Sequence, residues 1–176
     1  MKRLVCAAVV VVLLTGSVAA MAAEDKSWRV GASWIRLTES HLRSILGDGW
    51  GIGAEYSFGN LVDGLAVPMD LSGAVSYRHF SKSSNSLNNA SVGIKWRAGP
   101  GASPADDGFY GGVGLGAAFI QADIPSLDER TIRFQWSLFG GANFAEGWYG
   151  EVGYSHVGDG SFANFSNWIF TIGRRL

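Results

Sequence analysis

The chain has 176 residues, 47% of them hydrophobic, with 25 glycines, one cysteine and a formal net charge of −1. That is one domain's worth of chain. The near-zero charge and the lack of a basic block argue against a nucleic-acid partner, and one cysteine excludes a disulfide framework.

Residues 1–23 read as a secretory signal peptide of the Sec type. Lys2 and Arg3 open it, Leu4 to Leu14 form an apolar run, and Ala20-Met21-Ala22 supplies a small-residue cleavage site. The run falls short of the roughly 20 apolar residues a spanning helix needs. Cys6 lies inside it, so residues 24–176 hold no cysteine for a metal site or a thiol nucleophile.

Eight strands follow, at residues 28–37, 50–58, 68–80, 87–97, 109–120, 132–144, 147–157 and 165–176. In the second, Trp50, Ile52, Ala54, Tyr56 and Phe58 alternate with Gly51, Gly53, Glu55 and Ser57. A strand sends successive side chains to opposite faces, so one side is oily and the other polar. Most segments reach the roughly 9–11 residues that cross a bilayer as a tilted strand. An even number closes an up-and-down sheet without a free edge. The predicted fold is therefore all-β: an eight-stranded antiparallel transmembrane barrel spanning residues 24–176, with its oily face in lipid. A soluble lipocalin-like barrel with the oily face inward is the alternative.

The connections are polar or turn-rich. With the N-terminus in the periplasm, those after strands two, four and six face the periplasm and should be short. Ala145-Glu146 fits, whereas 59–67 and 98–108 are longer than this expectation. The longest outer connections, 38–49 and 121–131, are the best places to hold an extracellular ligand.

The outward rows carry almost no charge. Trp28, Phe58, Trp96, Phe109, Phe144 and Trp148 fall at the periplasmic interface, and Trp50, Tyr77, Phe119, Phe134 and Trp168 near the outer one. Two aromatic belts suit the two headgroup regions. The inward rows place Glu55, Asp70 and Glu151 near Arg29, Lys95, Arg97 and Arg175, as an ion-pair network filling the lumen. Gly112, Gly114, Gly116 and Ala118 leave a groove along strand five, to be filled by Phe139 or Tyr149 or left as a narrow cavity.

The leader, the strand pattern, segments such as Val75-Ser76-Tyr77-Arg78-His79-Phe80, and the aromatic-rich end Asn167-Trp168-Ile169-Phe170-Thr171-Ile172 together resemble the small bacterial outer-membrane β-barrel proteins. The resemblance implies the outer membrane of a Gram-negative-type envelope, contact with its lipids and lipopolysaccharide, and insertion by the barrel-assembly machinery. The family's final aromatic is replaced here by Leu176, and Arg174 interrupts the outward row. Its roles range over adhesion, envelope integrity, solute passage and lipid modification.

Two enzymes share the architecture, lipid A deacylases and lipid A palmitoyltransferases. A deacylase site resembles a His, a Ser two residues later and a Glu beyond. Here Gly158, not Ser, stands two residues after His156, and Ser155 and Glu151 face inward. His156 and His79 read as interface residues and His41 as a loop residue. The loop acids Asp63, Asp106, Asp107, Asp123, Asp128 and Glu129 lack a dense ligand spacing. No catalytic residue, metal or cofactor is expected. The expected function is a non-catalytic structural or adhesive one in the cell envelope. The alternatives are a narrow porin-like conduit for solutes or lipids, and a deacylase-like enzyme.

Overall fold

Alternation carries the chain through β1 (Trp28–Leu37), β2 (Gly49–Asn60), β3 (Met69–Lys82), β4 (Asn85–Ala98), β5 (Gly108–Ile124), β6 (Leu127–Asn143), β7 (Trp148–Val157) and β8 (Phe165–Arg175). The structure is a computed structural model that describes residues 28–60, 67–124, 127–158 and 165–176. The leader assigned to residues 1–23, and parts of the connections 59–67, 121–131 and 158–163, lie outside the described residues. Every neighbouring pair is antiparallel, and β1 also pairs with β8, closing the barrel. The ends meet at one rim, where Trp28 N–H donates to the Leu176 carbonyl at 3.2 Å and Leu176 N–H to Trp28 at 2.9 Å.

The oily rows face outward. Phe109 is 78% exposed, Ile132 73% and Ile172 64%, whereas Arg29 and Asp70 are fully buried. Val113 and Leu138 also lie on the outer wall, while Glu55 and Lys95 line the lumen. A soluble core would reverse this arrangement, so the lipocalin-like alternative fails.

Two connections differ from expectation. The stretch predicted as an open loop at 38–49 contains a helix, α1 (Ser40–Leu46), folded over the rim opposite the termini. Its Leu42, Ile45 and Leu46 share one face at helical spacing. They meet inward-pointing Ile35, Leu37, Phe80, Leu87, Ile120 and Val157, and Leu46 is fully buried. Seven residues are too few for a stable free helix. Docking holds this one: Lys82 Nζ donates to the Ser44 carbonyl at 3.0 Å and Asn85 Nδ2 to Ile45 at 3.3 Å. These satisfy carbonyls that a helix end leaves open.

The connection predicted at 121–131 is mostly ladder: β5 and β6 continue to Ile124 and Leu127 as a projecting hairpin. Polar residues there read as a loop, but beyond the bilayer both faces of a ladder can be wet.

Candidate functional site

The lumen is the candidate site, and it changes character along its axis. At the termini rim, the segment 99–107 turns inward to form a plug. Arg29 Nη2 donates to the carbonyls of Gly101 at 3.1 Å and Ala102 at 3.0 Å. Asn143 Nδ2 donates to those of Gly101 (2.9 Å), Ser103 (3.0 Å) and Asp106 (2.8 Å). Arg175 donates to Pro104 (3.0 Å), to Asp106 (2.9 Å), to the Asp107 carboxylate (2.6 Å) and to the Phe144 carbonyl. Ala102 is fully buried at the plug's tip. A buried irregular segment must find donors for its carbonyls, and these three side chains supply them. Gly101 is required, because a Cβ there would lie 2.1 Å from the Gly108 carbonyl oxygen. The unexpected length of this periplasmic connection is thereby explained.

Above the plug lies an ionic layer. Lys95 Nζ sits 2.7 Å from both Glu55 and Glu151. Arg97 pairs with Glu55, lies 3.8 Å from Asp70 and from Glu151, and donates to Ser72 at 2.9 Å. Asp70 also accepts from Ser57, and from Ser72 at 2.7 Å. Phe139 and Tyr110 wall this layer, with Lys95 Nζ 4.0 Å from the Phe139 centroid and the Arg97 guanidinium 5.6 Å from that of Tyr110. The predicted network is thus split. Glu55, Asp70, Lys95, Arg97 and Glu151 come together, whereas Arg29 and Arg175 hold the plug, Arg175 with Asp107 as its acid.

Phe139 fills the strand-five groove at Gly112, where a Cβ would approach its Cζ to 2.6 Å. Tyr149 lies instead against Gly31 and Gly173. A cavity of about 120 Å3 remains further up, lined by Gly114, Gly116 and several hydroxyls. The α1 cap closes the far end.

On the outer wall, Phe58, Phe109, Phe144 and Trp148 are exposed toward the termini rim. Trp50, Phe119, Phe134 and Trp168 are exposed toward the far rim. Trp28 and Trp96 are half-buried, Trp28 against Tyr56 at 5.0 Å between centroids. His79 Nδ1 lies 2.8 Å from Asn88 Oδ1, which also accepts from Tyr77 at 2.7 Å. His41 is exposed on α1.

Sequence reasoning missed the partner of His156. Ser166 sits directly across the β7–β8 ladder, its Oγ 2.8 Å from His156 Nδ1. Cross-strand register was the signal, and a search along one strand could not find it. Thr38 donates to the Ser166 carbonyl through its N–H and Oγ1, each at 3.0 Å, and Glu39 follows it. Burial pushes the Glu39 carboxyl above its ordinary value, against the opposing fields of His156 and His41.

A closed barrel of eight antiparallel strands with an apolar wall and a polar lumen is an integral outer-membrane barrel of a Gram-negative-type bacterium. The family described as "Outer membrane protein beta-barrel domain" matches residues 8–175, and the chain belongs to that family. No curated protein matches the sequence. Among solved structures, the N-terminal β-barrel domain of Pseudomonas aeruginosa OprF is similar at 16% identity and a TM-score of 0.58, covering 85% of this chain and 97% of that one. The outer membrane enzyme PagL is similar at 11% identity and 0.60, covering 84% and 99%. Neisserial surface protein A (NspA) is similar at 16% and 0.54, covering 85% and 96%. These likenesses establish the fold alone.

Proposed function

We propose that this protein is a sealed, non-catalytic structural barrel of the outer membrane. It contacts lipopolysaccharide along its outer wall and extracellular ligands through its projecting end. The observation that supports this most is closure at both rims, by the 99–107 plug below and α1 above. Closure favours this role over a conduit. The β5–β6 hairpin replaces the open loops as the contact element, since the apolar face of α1 is committed to the barrel. The barrel-assembly machinery is the expected biogenesis partner, reading β8. The test has two arms. Purified protein in planar bilayers should give no stepwise conductance. Cells lacking the protein should lose adherence or detergent resistance, and a variant with the hairpin cut back to Phe119 and Ile132 should fail to restore adherence. Steady conductance from the wild type, or full adherence from the truncated hairpin, would overturn the reading.

A second reading, an acyl hydrolase acting on outer-leaflet lipid, is favoured by one observation. A serine hydroxyl is hydrogen-bonded to an imidazole near a carboxylate on the far-rim wall. Against it, Ser166 is 6% exposed and covered by its neighbours. Mass spectrometry of lipid A from cells carrying wild type or Ser166→Ala separates the two: a difference in acyl count would favour the enzyme.

A further inference from the structure

The two arginines that hold the plug stand opposite each other across the β1–β8 seam. Arg29 and Arg175 are directly paired in the ladder that closes the barrel, and both are buried on the lumen side. Like charges directly opposite weaken a strand pair. The next lumen-side pair is Gly31 with Gly173, which has no side chains to hold it. Only at Ser33 and Thr171, bonded at 2.7 Å, does an attractive pair follow. On the lipid side Val30 stands opposite Arg174. The Arg174 guanidinium turns away from the seam, to the Trp148 ring at 5.3 Å and the Glu146 carbonyl at 3.1 Å. The same rim is built the other way in the β3–β4 ladder, where Asp70 lies directly across from Arg97. Glu55 lies across from Arg29 in the β1–β2 ladder, but its carboxylate pairs with Lys95 and Arg97.

The plug meets both seam arginines at once. It joins β4 to β5, on the side of the barrel opposite the seam in strand order. Its carbonyls at Gly101 and Ala102 nevertheless accept from Arg29, and those at Pro104 and Asp106 from Arg175. The Asp107 carboxylate adds a counter-charge 2.6 Å from Arg175. Arg29 Nε and Nη1 find no acceptor, so Nη2, held by the plug, carries its hydrogen bonds. Asn143 completes the clamp from β6, with Nδ2 on three plug carbonyls and Oδ1 3.5 Å from Arg29 Nη2.

We propose that the 99–107 segment is the latch of the β1–β8 seam. Seated, it sets carbonyl oxygens and one carboxylate against two like charges and ties β1, β6 and β8 together. Unseated, it leaves the termini end of the seam as the weakest strand pair of the barrel, and that end parts first. The device is independent of what the outer end contacts.

The test is hydrogen exchange, read peptide by peptide, on the refolded barrel in detergent. Gly101→Ala unseats the plug, since the added Cβ would lie 2.1 Å from the Gly108 carbonyl oxygen. Exchange at residues 28–31 and 173–176 should quicken by about tenfold or more, because each lost hydrogen bond to a charged group is worth at least that factor in a local opening equilibrium. Residues 71–75 and 92–96 of the β3–β4 ladder should keep the wild-type rate. Adding Arg175→Met removes one of the two like charges and should slow the seam again. A seam at the wild-type rate in Gly101→Ala, an equal rise in the β3–β4 ladder, or a double variant no slower than Gly101→Ala would overturn the proposal. Asp107→Asn keeps the test decisive if Gly101→Ala does not fold. Its side chain is 59% exposed, so the barrel tolerates the change. Faster exchange confined to residues 28–31 and 173–176 supports the latch, and no rise there refutes it.

Discussion

Replacing Lys95 with methionine keeps most of the aliphatic stem and removes the ammonium that joins two carboxylates. Lys95 Nζ is 2.7 Å from Glu55 and 2.7 Å from Glu151, whose side chains are 15% and 12% exposed. Removing one partner of such a pair typically costs about 3–5 kcal/mol, because the acids stay buried without compensation. Arg97 stays on Glu55 and lies 3.8 Å from Glu151, so the lower end, about 3 kcal/mol, is expected. A urea slope of about 1–3 kcal/mol per molar turns that into a midpoint drop of about 1–3 M. The assay is the migration difference between folded and unfolded barrel on an unheated gel, read across a urea series. Adding Glu151→Gln to Lys95→Met removes one stranded charge and should recover about 1 kcal/mol or more. A Lys95→Met midpoint within about 0.5 M of wild type, or a double variant showing the plain sum of two losses, would refute the idea that this layer holds the lumen together.

Leu46→Ala, at a fully buried position in the cap, should weaken α1 docking by about 2–5 kcal/mol. Hydrogen exchange should speed up across residues 40–46 while the β1 ladder stays protected. On the lipid face, Leu115→Arg should cost about 2–4 kcal/mol in refolding titrations, whereas Ser137→Ala, inside the barrel, should stay under about 1 kcal/mol. Glu39 sets the pH response of the cap. Its folded pKa is raised, with His156 and His41 as the facing titratable groups. The folded state therefore holds this proton more tightly, and the associated stability is present below the ordinary value of 4.5 and is lost as pH rises through the folded pKa. Exchange at α1 should quicken over that rise, and Glu39→Gln should flatten this component.

Strand order, closure and facing were legible because alternation is written residue by residue, as in Trp50 to Phe58. The ion-layer members were legible for the same reason, since Glu55, Lys95 and Glu151 share inward parity. Which cation met which acid was not, because register across the lumen depends on shear. Arg29 and Arg175 read as partners of Glu55, Asp70 and Glu151, yet they serve the carbonyls of a plug whose inward fold leaves no periodic trace, and Arg175 takes Asp107 as its acid. The α1 cap hid because its apolar residues, Leu42 to Leu46, span little more than one turn. The hairpin extension hid because strands in water lose the oily row that marks them in lipid. Ser166 hid because its partner lies across a ladder.

The two closures show why the lumen turns from ionic to apolar along its axis. The plug is irregular chain, so its carbonyls at residues 101–104 and 106 need outside donors, and only long or branched polar side chains reach them. Arg29, Asn143 and Arg175 must therefore crowd that rim, and the next layer sets three acids, Glu55, Asp70 and Glu151, against Lys95 and Arg97. The cap is a helix that satisfies most of its own backbone, so it can close the far rim with Leu42, Ile45 and Leu46 on an apolar bed. Only its C-terminal carbonyls ask for donors, and Lys82 and Asn85 at the β3–β4 turn supply them. Between a rim that demands donors and a rim that excludes water, Arg78 sits beside the cavity that lies between them. It donates there to Ser155 Oγ at 3.2 Å and Asn167 Oδ1 at 3.5 Å, a neutral polar level between the ionic layer and the apolar cap.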